Sequence, residues 1–228
     1  MARRMKANNQ RQLIADTDRT SPITEQYRTI RTNIEFSAVD ESIQTIMFTS
    51  AGPGEGKSTT AANLAIVMAQ NEQSVLLIDA DLRKPTMHYT FGTQNITGLT
   101  SVLTKKDNLE DAVIKTKINH LSILPSGPVP PNPAELLNSF MMKRLLESAR
   151  QLFDVIIIDT PPVMAVTDAQ ILASKCDGVV LVLSSGKTER EQIIKTKDLL
   201  LKSKAKIIGT VLNNKKIDSG QYYYYSNQ

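Results

Sequence analysis

The stretch IMFTSAGPGEGKSTT occupies residues 46–60 and joins an apolar run, a glycine-rich loop and the start of a helical pattern. Gly-Lys-Ser between a strand and a helix is typical of a P-loop, in which backbone N–H groups and the positive end of the helix dipole surround phosphate oxygens. Lys57 is expected to bridge the β- and γ-phosphates of a nucleotide, and the Ser58 hydroxyl to bind Mg²⁺. Ala51 replaces the usual first glycine of the motif, but the three glycines that follow keep the loop flexible. We predict nucleotide contacts from Gly52, Pro53, Gly54, Glu55, Gly56, Lys57, Ser58 and Thr59, with the Glu55 side chain facing solvent.

Outward from this loop, strand and helix patterns alternate along the chain. Apolar, β-branched runs predict strands at 43–49, 74–78, 121–124, 155–158, 178–183 and 206–212. Helical patterns lie between most of them, at 57–70, 133–152, 167–175 and 188–202, and an amphipathic helix at 24–36 precedes them all. The runs VLLID, VIIID and VVLVL are continuously apolar, which is typical of strands covered by helices on both faces. We therefore predict an α/β fold: a P-loop NTPase-like, mostly parallel β-sheet flanked by helices on both faces.

Length and composition limit the class of protein. The chain has 228 residues, of which 41% are hydrophobic and 22% charged, as in an ordinary globular domain. We assign residues 1–20 to a mobile basic arm, 21–213 to a single domain and 214–228 to a flexible tyrosine-rich tail. No apolar run approaches the roughly 20 residues of a membrane span, and one cysteine excludes an internal disulfide, so a cytoplasmic protein is expected. A net charge of +4 is too small to indicate nucleic acid, and direct nucleic-acid binding is not expected.

Two further predicted strands end in carboxylates. The run LLIDADLR places Asp79 and Asp81 at the end of one strand, and IIIDTPP places Asp159 at the end of another. Parallel strands end at the edge of the sheet where ligands bind, so these carboxylates are expected to face the nucleotide. One of Asp79 and Asp81 could hold metal while the other accepts a proton, and Asp79 is the first candidate for the base. We predict a catalytic set of Lys57, Asp79, Asp81 and Asp159, and metal ligands Ser58, Asp81 and Asp159.

Four consecutive tyrosines near the end of the chain have two interpretations. Alone, a polar and aromatic end is typical of a disordered tail. If the strand at 206–212 is parallel to the others, however, it ends at the edge that holds the nucleotide, and an extended chain from 214 to 222 spans about 25–30 Å. A carboxylate there could take the phenolic proton as the O–P bond forms. The predicted acceptors of the γ-phosphate are Tyr222, Tyr223, Tyr224 and Tyr225.

Together these motifs resemble the bacterial tyrosine kinases, a family that descends from deviant P-loop ATPases. The GKST loop, the D-x-D-x-R stretch at 79–83, the IIIDTPP strand and the tyrosine cluster carry the resemblance, which covers about 24–225. It implies a non-specific protein-tyrosine kinase that uses ATP and Mg²⁺, phosphorylates its own tail and other proteins, and regulates exopolysaccharide or capsule synthesis. It also implies a ring-shaped homo-oligomer in which one subunit's tail enters a neighbour's site and in which Glu25, Arg28 and Arg31 make subunit contacts.

The chain looks most like the separate cytoplasmic kinases of Gram-positive bacteria. That resemblance implies a transmembrane activator on a separate chain that recruits the kinase to the inner face of the membrane. It also implies protein substrates such as UDP-sugar dehydrogenases and a cognate phosphotyrosine phosphatase. Two alternatives are a partition- or division-site-type ATPase and a nucleotide-dependent assembly adaptor. The first usually carries a second lysine where this chain has Gly52 and gives the tail tyrosines no role, and the intact catalytic set argues against the second.

Overall fold

A computed structural model describes residues 13–37 and 42–216 of the chain. Its strands are β1 Thr45–Ser50, β2 Val75–Asp79, β3 Ile114–Lys115, β4 Leu121–Leu124, β5 Val155–Asp159, β6 Gly178–Ser184 and β7 Ile207–Asn213. They form one sheet in the order β3-β4-β2-β5-β1-β6-β7. Every neighbouring pair is parallel except β3 with β4. The predicted mostly parallel α/β fold is therefore confirmed.

The described helices are α1 Ile14–Thr17, α2 Pro22–Phe36, α3 Lys57–Ala69, α4 Met87–Phe91, α5 Leu99–Leu103, α6 Leu109–Ala112, α7 Pro133–Asn138, α8 Phe140–Leu152, α9 Asp168–Ala173 and α10 Arg190–Lys202. The helix predicted at 24–36 begins two residues earlier, because the Ser21 side chain accepts a hydrogen bond from the backbone N–H of Ile23. The helix predicted at 133–152 is two helices, because Ser139 is extended and its side chain caps α8. Among the described helices, none is both long enough and apolar enough to cross a membrane.

The core lies on both faces of the sheet. Every residue of β1, β2 and β5 is buried, as their continuously apolar sequences predict. Side chains of a strand alternate between faces, so Leu76 and Ile78 belong to one hydrophobic cluster and Val75 and Leu77 to the other. Buried residues of α8 and α9 join the first cluster, and those of α3 join the second. Burial on both faces fixes the strand ends that carry the predicted site.

The two ends of the chain differ in how far the structure describes them. The predicted mobile arm, 1–20, is folded over its described part, since α1 packs on α3 with Ala15 fully buried. The Ala15 N–H donates to Asn63 Oδ1 at 2.9 Å, and Gln70 Nε2 donates to the Ala15 carbonyl at 2.7 Å. Residues 1–12 lie outside the described part. So do residues 217–228, which include the four predicted acceptor tyrosines.

Candidate active site

The P-loop connects β1 to α3, as the sequence predicts. Gly54 and Gly56 have left-handed backbones, with φ of 71° and 96°. The backbone angle of Gly56 strains any other residue there, and an added Cβ would also displace the Asn213 side chain. Gly56 is the N-cap of α3, and Lys57 and Ser58 therefore occupy the first turn of a buried helix. This places the predicted phosphate-binding groups at a helix N-terminus, where the dipole favours anions.

The orientation of Glu55 differs from the prediction that it faces solvent. The residue is only 2% exposed, and its Oε2 accepts a hydrogen bond of 3.1 Å from the backbone N–H of Ala51. The physical reason is that the folded loop buries this amide, which needs an acceptor. The carboxylate of Glu55 closes the loop from inside. Its predicted contact with the nucleotide stays a prediction.

Two residues that the sequence reasoning missed hold the P-loop from the β6–β7 side. Lys187 Nζ donates to the carbonyls of Pro53 at 2.9 Å and Gly54 at 3.1 Å. Asn213, the last residue of β7, donates from Nδ2 to the Glu55 carbonyl at 3.0 Å. Both follow strands predicted from the sequence, but no local motif marks them. The only available signal was that parallel strands end at the same edge.

On the other side of the loop, the structure brings Lys57, Ser58, Asp81 and Asp159 together, while their predicted roles stay predictions. Lys57 Nζ lies 3.3 Å from Asp81 Oδ2, 3.3 Å from Asp159 Oδ1 and 3.0 Å from Ser58 Oγ. Burial alone would lower the pKa of Lys57, but the two carboxylates outweigh burial and raise it. The ammonium therefore stays charged beside the loop. The arrangement concentrates one cation and several oxygen ligands where phosphates are expected.

Asp79 is aligned with Asp159 across β2 and β5 but makes different contacts from Asp81. It is fully buried, and its Oδ2 accepts hydrogen bonds of 2.9 Å from the N–H groups of Thr86 and Met87. Its Oδ1 accepts a longer bond of 3.3 Å from the Asp81 N–H. Burial and then the charge of Asp159 raise the pKa of Asp79 to about 7, against the opposing effect of the amides. Asp79 therefore orders the segment 80–87 and has a proton affinity near neutrality.

An ion pair missed by the sequence reasoning holds the same segment from outside. Arg83 donates from Nε to Asp168 Oδ2 at 2.8 Å and from its terminal nitrogen NH2 to Oδ1 at 3.0 Å. Asp168 is fully buried at the start of α9, whereas the Arg83 side chain is 40% exposed. Such a two-pronged pair fixes both distance and orientation. It connects the segment that carries Asp81 to a helix on one face of the sheet.

The chemistry of these groups fits Mg²⁺. Magnesium prefers oxygen ligands and usually takes one or two carboxylates, with phosphates and waters completing its shell. Ser58, Asp81 and Asp159 offer a hydroxyl and two carboxylates around one point, Lys57 Nζ. Within residues 13–37 and 42–216, no group of three or more His, Cys, Asp or Glu side chains could hold a metal by itself.

The E-x-x-R-x-x-R residues lie on α2 and make contacts within the chain. Arg28 pairs with Glu25, and its NH2 donates to the Arg19 carbonyl at 2.9 Å. Arg31 lies 3.7 Å from Glu35 and 3.4 Å from the Val67 carbonyl. The side chains of Glu25 and Arg28 remain 41% and 34% exposed. Their role between subunits stays a prediction.

Comparison with known proteins connects this site to a family. A family model described as an AAA domain matches residues 43–208. The tyrosine-protein kinase YwqD of Bacillus subtilis (strain 168) is 57% identical over 217 residues, covering 95% of this chain and 92% of that protein. The chain belongs to the bacterial tyrosine-protein kinases. The putative tyrosine-protein kinase CapB of Staphylococcus aureus is 40% identical, covering 90% of each chain. The predicted family and enzyme class are confirmed.

Solved structures agree with membership of the bacterial tyrosine kinases. The chimerical protein CapA2B2 superposes with a TM-score of 0.87 at 43% identity, covering 90% of each chain. The kinase domain of Escherichia coli tyrosine kinase ETK also gives 0.87, at 32% identity, covering 95% of this chain and 87% of that one. The cell division ATPase MinD of Pyrococcus furiosus gives 0.65 at 24% identity, covering 80% and 79%. That last similarity shows a shared fold only.

Proposed function

We propose that this bacterial tyrosine kinase transfers the γ-phosphoryl group of ATP to tyrosines of its own tail and of other proteins. The observation that carries the proposal is the contact of Lys57 Nζ with Asp81 and Asp159 at the mouth of a P-loop. Phosphoryl transfer needs positioning and charge neutralisation more than covalent chemistry from the protein. A preformed cluster of one cation and two carboxylates beside the helix N-terminus provides groups for both.

Each group of the cluster has a proposed task. The P-loop amides and Lys57 bind and orient the β- and γ-phosphates, because they combine N–H donors with a charged ammonium. Ser58, Asp81 and Asp159 are the proposed ligands of Mg²⁺. When bound, that ion neutralises charge on the phosphate oxygens. Lys187 and Asn213 hold the loop in shape from the opposite side.

We propose Asp79 as the base that accepts the proton of the acceptor hydroxyl. A free phenol has a pKa of about 10, and a base works best when its own pKa lies near the working pH. The raised pKa of Asp79, about 7, meets this condition. From the described residues its Oδ1 accepts one long hydrogen bond, so it retains a lone pair. Asp81 is slightly exposed and pairs with Lys57, which suits a ligand of the metal better.

The proposed biological setting rests on family membership. As in the family it resembles, the kinase would regulate exopolysaccharide or capsule synthesis and act as a ring-shaped oligomer. A transmembrane activator on another chain would recruit it to the inner face of the membrane. The tyrosine-protein kinase wzc of Salmonella typhimurium supports a link to a larger assembly, because the match covers 78% of this chain but 25% of that longer protein. UDP-sugar dehydrogenases and a phosphotyrosine phosphatase are the proposed substrate class and opposing enzyme.

Phosphate mapping tests the proposed activity. The full chain is incubated with γ-labelled ATP and Mg²⁺, with and without a candidate activator segment, and phosphotyrosine is located by mass spectrometry. We expect label on the tail and none in Lys57→Met or in a variant with all four tail tyrosines changed to Phe. Lys195→Met on the exposed surface of α10 is the matched control and should keep full activity. ATP hydrolysis with no phosphotyrosine under every activator condition would show that the chain is not a kinase.

A further inference from the structure

The carbonyls and the N–H groups of the P-loop differ in how they are paired. Every carbonyl from residue 50 to residue 56 accepts a hydrogen bond from the protein. The N–H groups of Gly54, Glu55 and Gly56, by contrast, donate to no acceptor within the described parts of the chain. Successive backbone donors of this kind form a concave site for anions such as phosphate oxygens. The question is what keeps these three N–H groups turned toward one side.

Contacts on the carbonyl side fix the direction of these N–H groups. Lys187 Nζ donates to the carbonyls of Pro53 at 2.9 Å and Gly54 at 3.1 Å, and Asn213 Nδ2 donates to the next carbonyl, that of Glu55. The described residues contain no cis peptide bond. In a planar trans peptide, the carbonyl of one residue and the N–H of the next point in opposite directions. The N–H groups of residues 54–56 therefore point away from Lys187 and Asn213.

The turn between β6 and α10 gives Lys187 a fixed backbone position. The N–H groups of Lys187 and Thr188 both donate to the Ser184 carbonyl, at 3.1 and 3.0 Å. In return, the Ser184 N–H donates to Thr188 Oγ1 at 2.9 Å. The Ser185 N–H donates to the Asn213 carbonyl at 2.8 Å, so the turn is also attached to the end of β7. The lysine therefore extends toward the P-loop from a turn that is itself held in place.

We propose that Lys187 is a positioning residue that aims the N–H groups of residues 54–56 at the nucleotide phosphates and so sets the affinity for ATP. The inference rests on the proposed function, in which this loop binds ATP. Lys57 and Lys187 are two cations with different tasks. Lys57 lies among the carboxylates, whereas the ammonium of Lys187 is held by carbonyls on the opposite side of the loop. Lys187 therefore acts through the loop backbone and not by contact with a phosphate.

Loss of the ammonium would free part of the loop without unfolding the chain. Pro53 and Gly54 are exposed, so water can replace Lys187 at their carbonyls. Gly54 has a φ of 71°, and glycine also tolerates many other backbone angles, so its peptide groups can then rotate. Asn213 still holds the Glu55 carbonyl, so the effect is partial. If the correct orientation falls to about one-tenth of the population, the apparent Kd for nucleotide rises about tenfold.

Nucleotide binding by the full chain tests the role of Lys187. The Kd of a fluorescent ATP analogue and the KM for ATP in tail phosphorylation are measured with Mg²⁺. Lys187→Met should raise both about tenfold, while kcat at saturating ATP stays within twofold of wild type, as expected when only ground-state binding is lost. Lys187→Arg should restore the Kd to within threefold, because a guanidinium also donates to carbonyls. Arg190→Met is the matched control: Arg190 is exposed three residues further along and should leave the Kd unchanged.

Three results would overturn the positioning role of Lys187. The first is a Kd in Lys187→Met within twofold of wild type. The second is an equal rise in Kd in Arg190→Met, which would show a general effect of positive charge near the site. The third is a lower urea midpoint in Lys187→Met without nucleotide, together with no recovery of the Kd in Lys187→Arg, which would show a merely structural role. A wild type that binds the analogue but labels no tyrosine would instead refute only the proposed kinase activity.

Discussion

Replacing Arg83 by Met should destabilise the fold although Arg83 lies on the surface. The substitution leaves the Asp168 carboxylate, which is fully buried, without the two hydrogen bonds that Arg83 donates at 2.8 and 3.0 Å. Removing one partner of a buried ion pair typically costs about 3–5 kcal/mol. The Arg83 side chain is 40% exposed, so water reaches the pair and recovers part of that loss. We expect a decrease of about 2 kcal/mol in the free energy of unfolding.

Urea unfolding followed by circular dichroism measures this loss. For a chain of this length, 2 kcal/mol corresponds to a fall of roughly 4–8 °C in Tm. Lys143→Met is the control, because Lys143 and Glu147 form an exposed pair 3.8 Å apart whose loss should cost less than about 0.5 kcal/mol. In the double variant with Asp168→Leu, the buried charge is gone and part of the stability should return. The reasoning is refuted if Arg83→Met unfolds like the control, or if the double variant is no more stable than Arg83→Met.

Three further predictions concern the P-loop, the proposed base Asp79 and the partly buried contacts of Asp177 at the start of β1. Gly56→Ala should abolish binding of a fluorescent ATP analogue, because the φ of Gly56 is 96° and the new Cβ would meet the Asn213 side chain. A Kd for the analogue within threefold of wild type would contradict this prediction. Asp79→Asn should lower kcat by a factor of about 10²–10⁴. The kcat of the wild type should fall as the pH drops below about 7, because the Asp79 carboxylate then gains a proton. An unchanged kcat in Asp79→Asn would exclude Asp79 as the base. Burial would raise the pKa of Asp177, but hydrogen bonds from Arg150, Thr45 and Gln44 outweigh burial and lower the pKa in the folded chain. The ionised Asp177 therefore stabilises the fold at pH values above its ordinary pKa of about 4. This stabilisation is lost as the pH falls through the lower pKa of the folded chain. Urea midpoints between pH 6 and 2 should therefore fall less in Asp177→Asn than in wild type, and parallel curves would contradict the assignment.

Much of the fold follows from local patterns in the sequence. The buried strands have continuous apolar runs, and their predicted bounds differ from the observed ones by at most two residues. The short helices α4, α5 and α6 have four or five residues each, too few to show a helical period. The break at Ser139 lacks Gly or Pro and was missed for that reason. Its cause is a cap, which competes locally with helix continuation.

The candidate site likewise contains residues that local motifs predict and residues that they do not. Lys57, Asp79 and Asp159 sit in motifs that can be recognised from a few adjacent residues. The partners that shape them come from distant parts of the chain: Asp168 is 85 residues from Arg83, and Asn213 is 158 residues from Glu55. Only the crossover connections of the sheet bring such pairs together, so no window of sequence reveals them. The inward turn of Glu55 was missed because an unpaired amide within a loop leaves no mark in the sequence.

The hydrogen bond from Asn213 to the Glu55 carbonyl connects the last strand directly to the nucleotide loop. The tail leaves the sheet directly after this strand, so a load applied to the tail arrives first at the residue that supports the P-loop. Asn213 is also the side chain nearest to where a Cβ of Gly56 would be, so β7 and the P-loop are in close contact at this point. Asn213 therefore lies both at the start of the tail and against the loop expected to bind the nucleotide, so a force on either segment acts on the same residue.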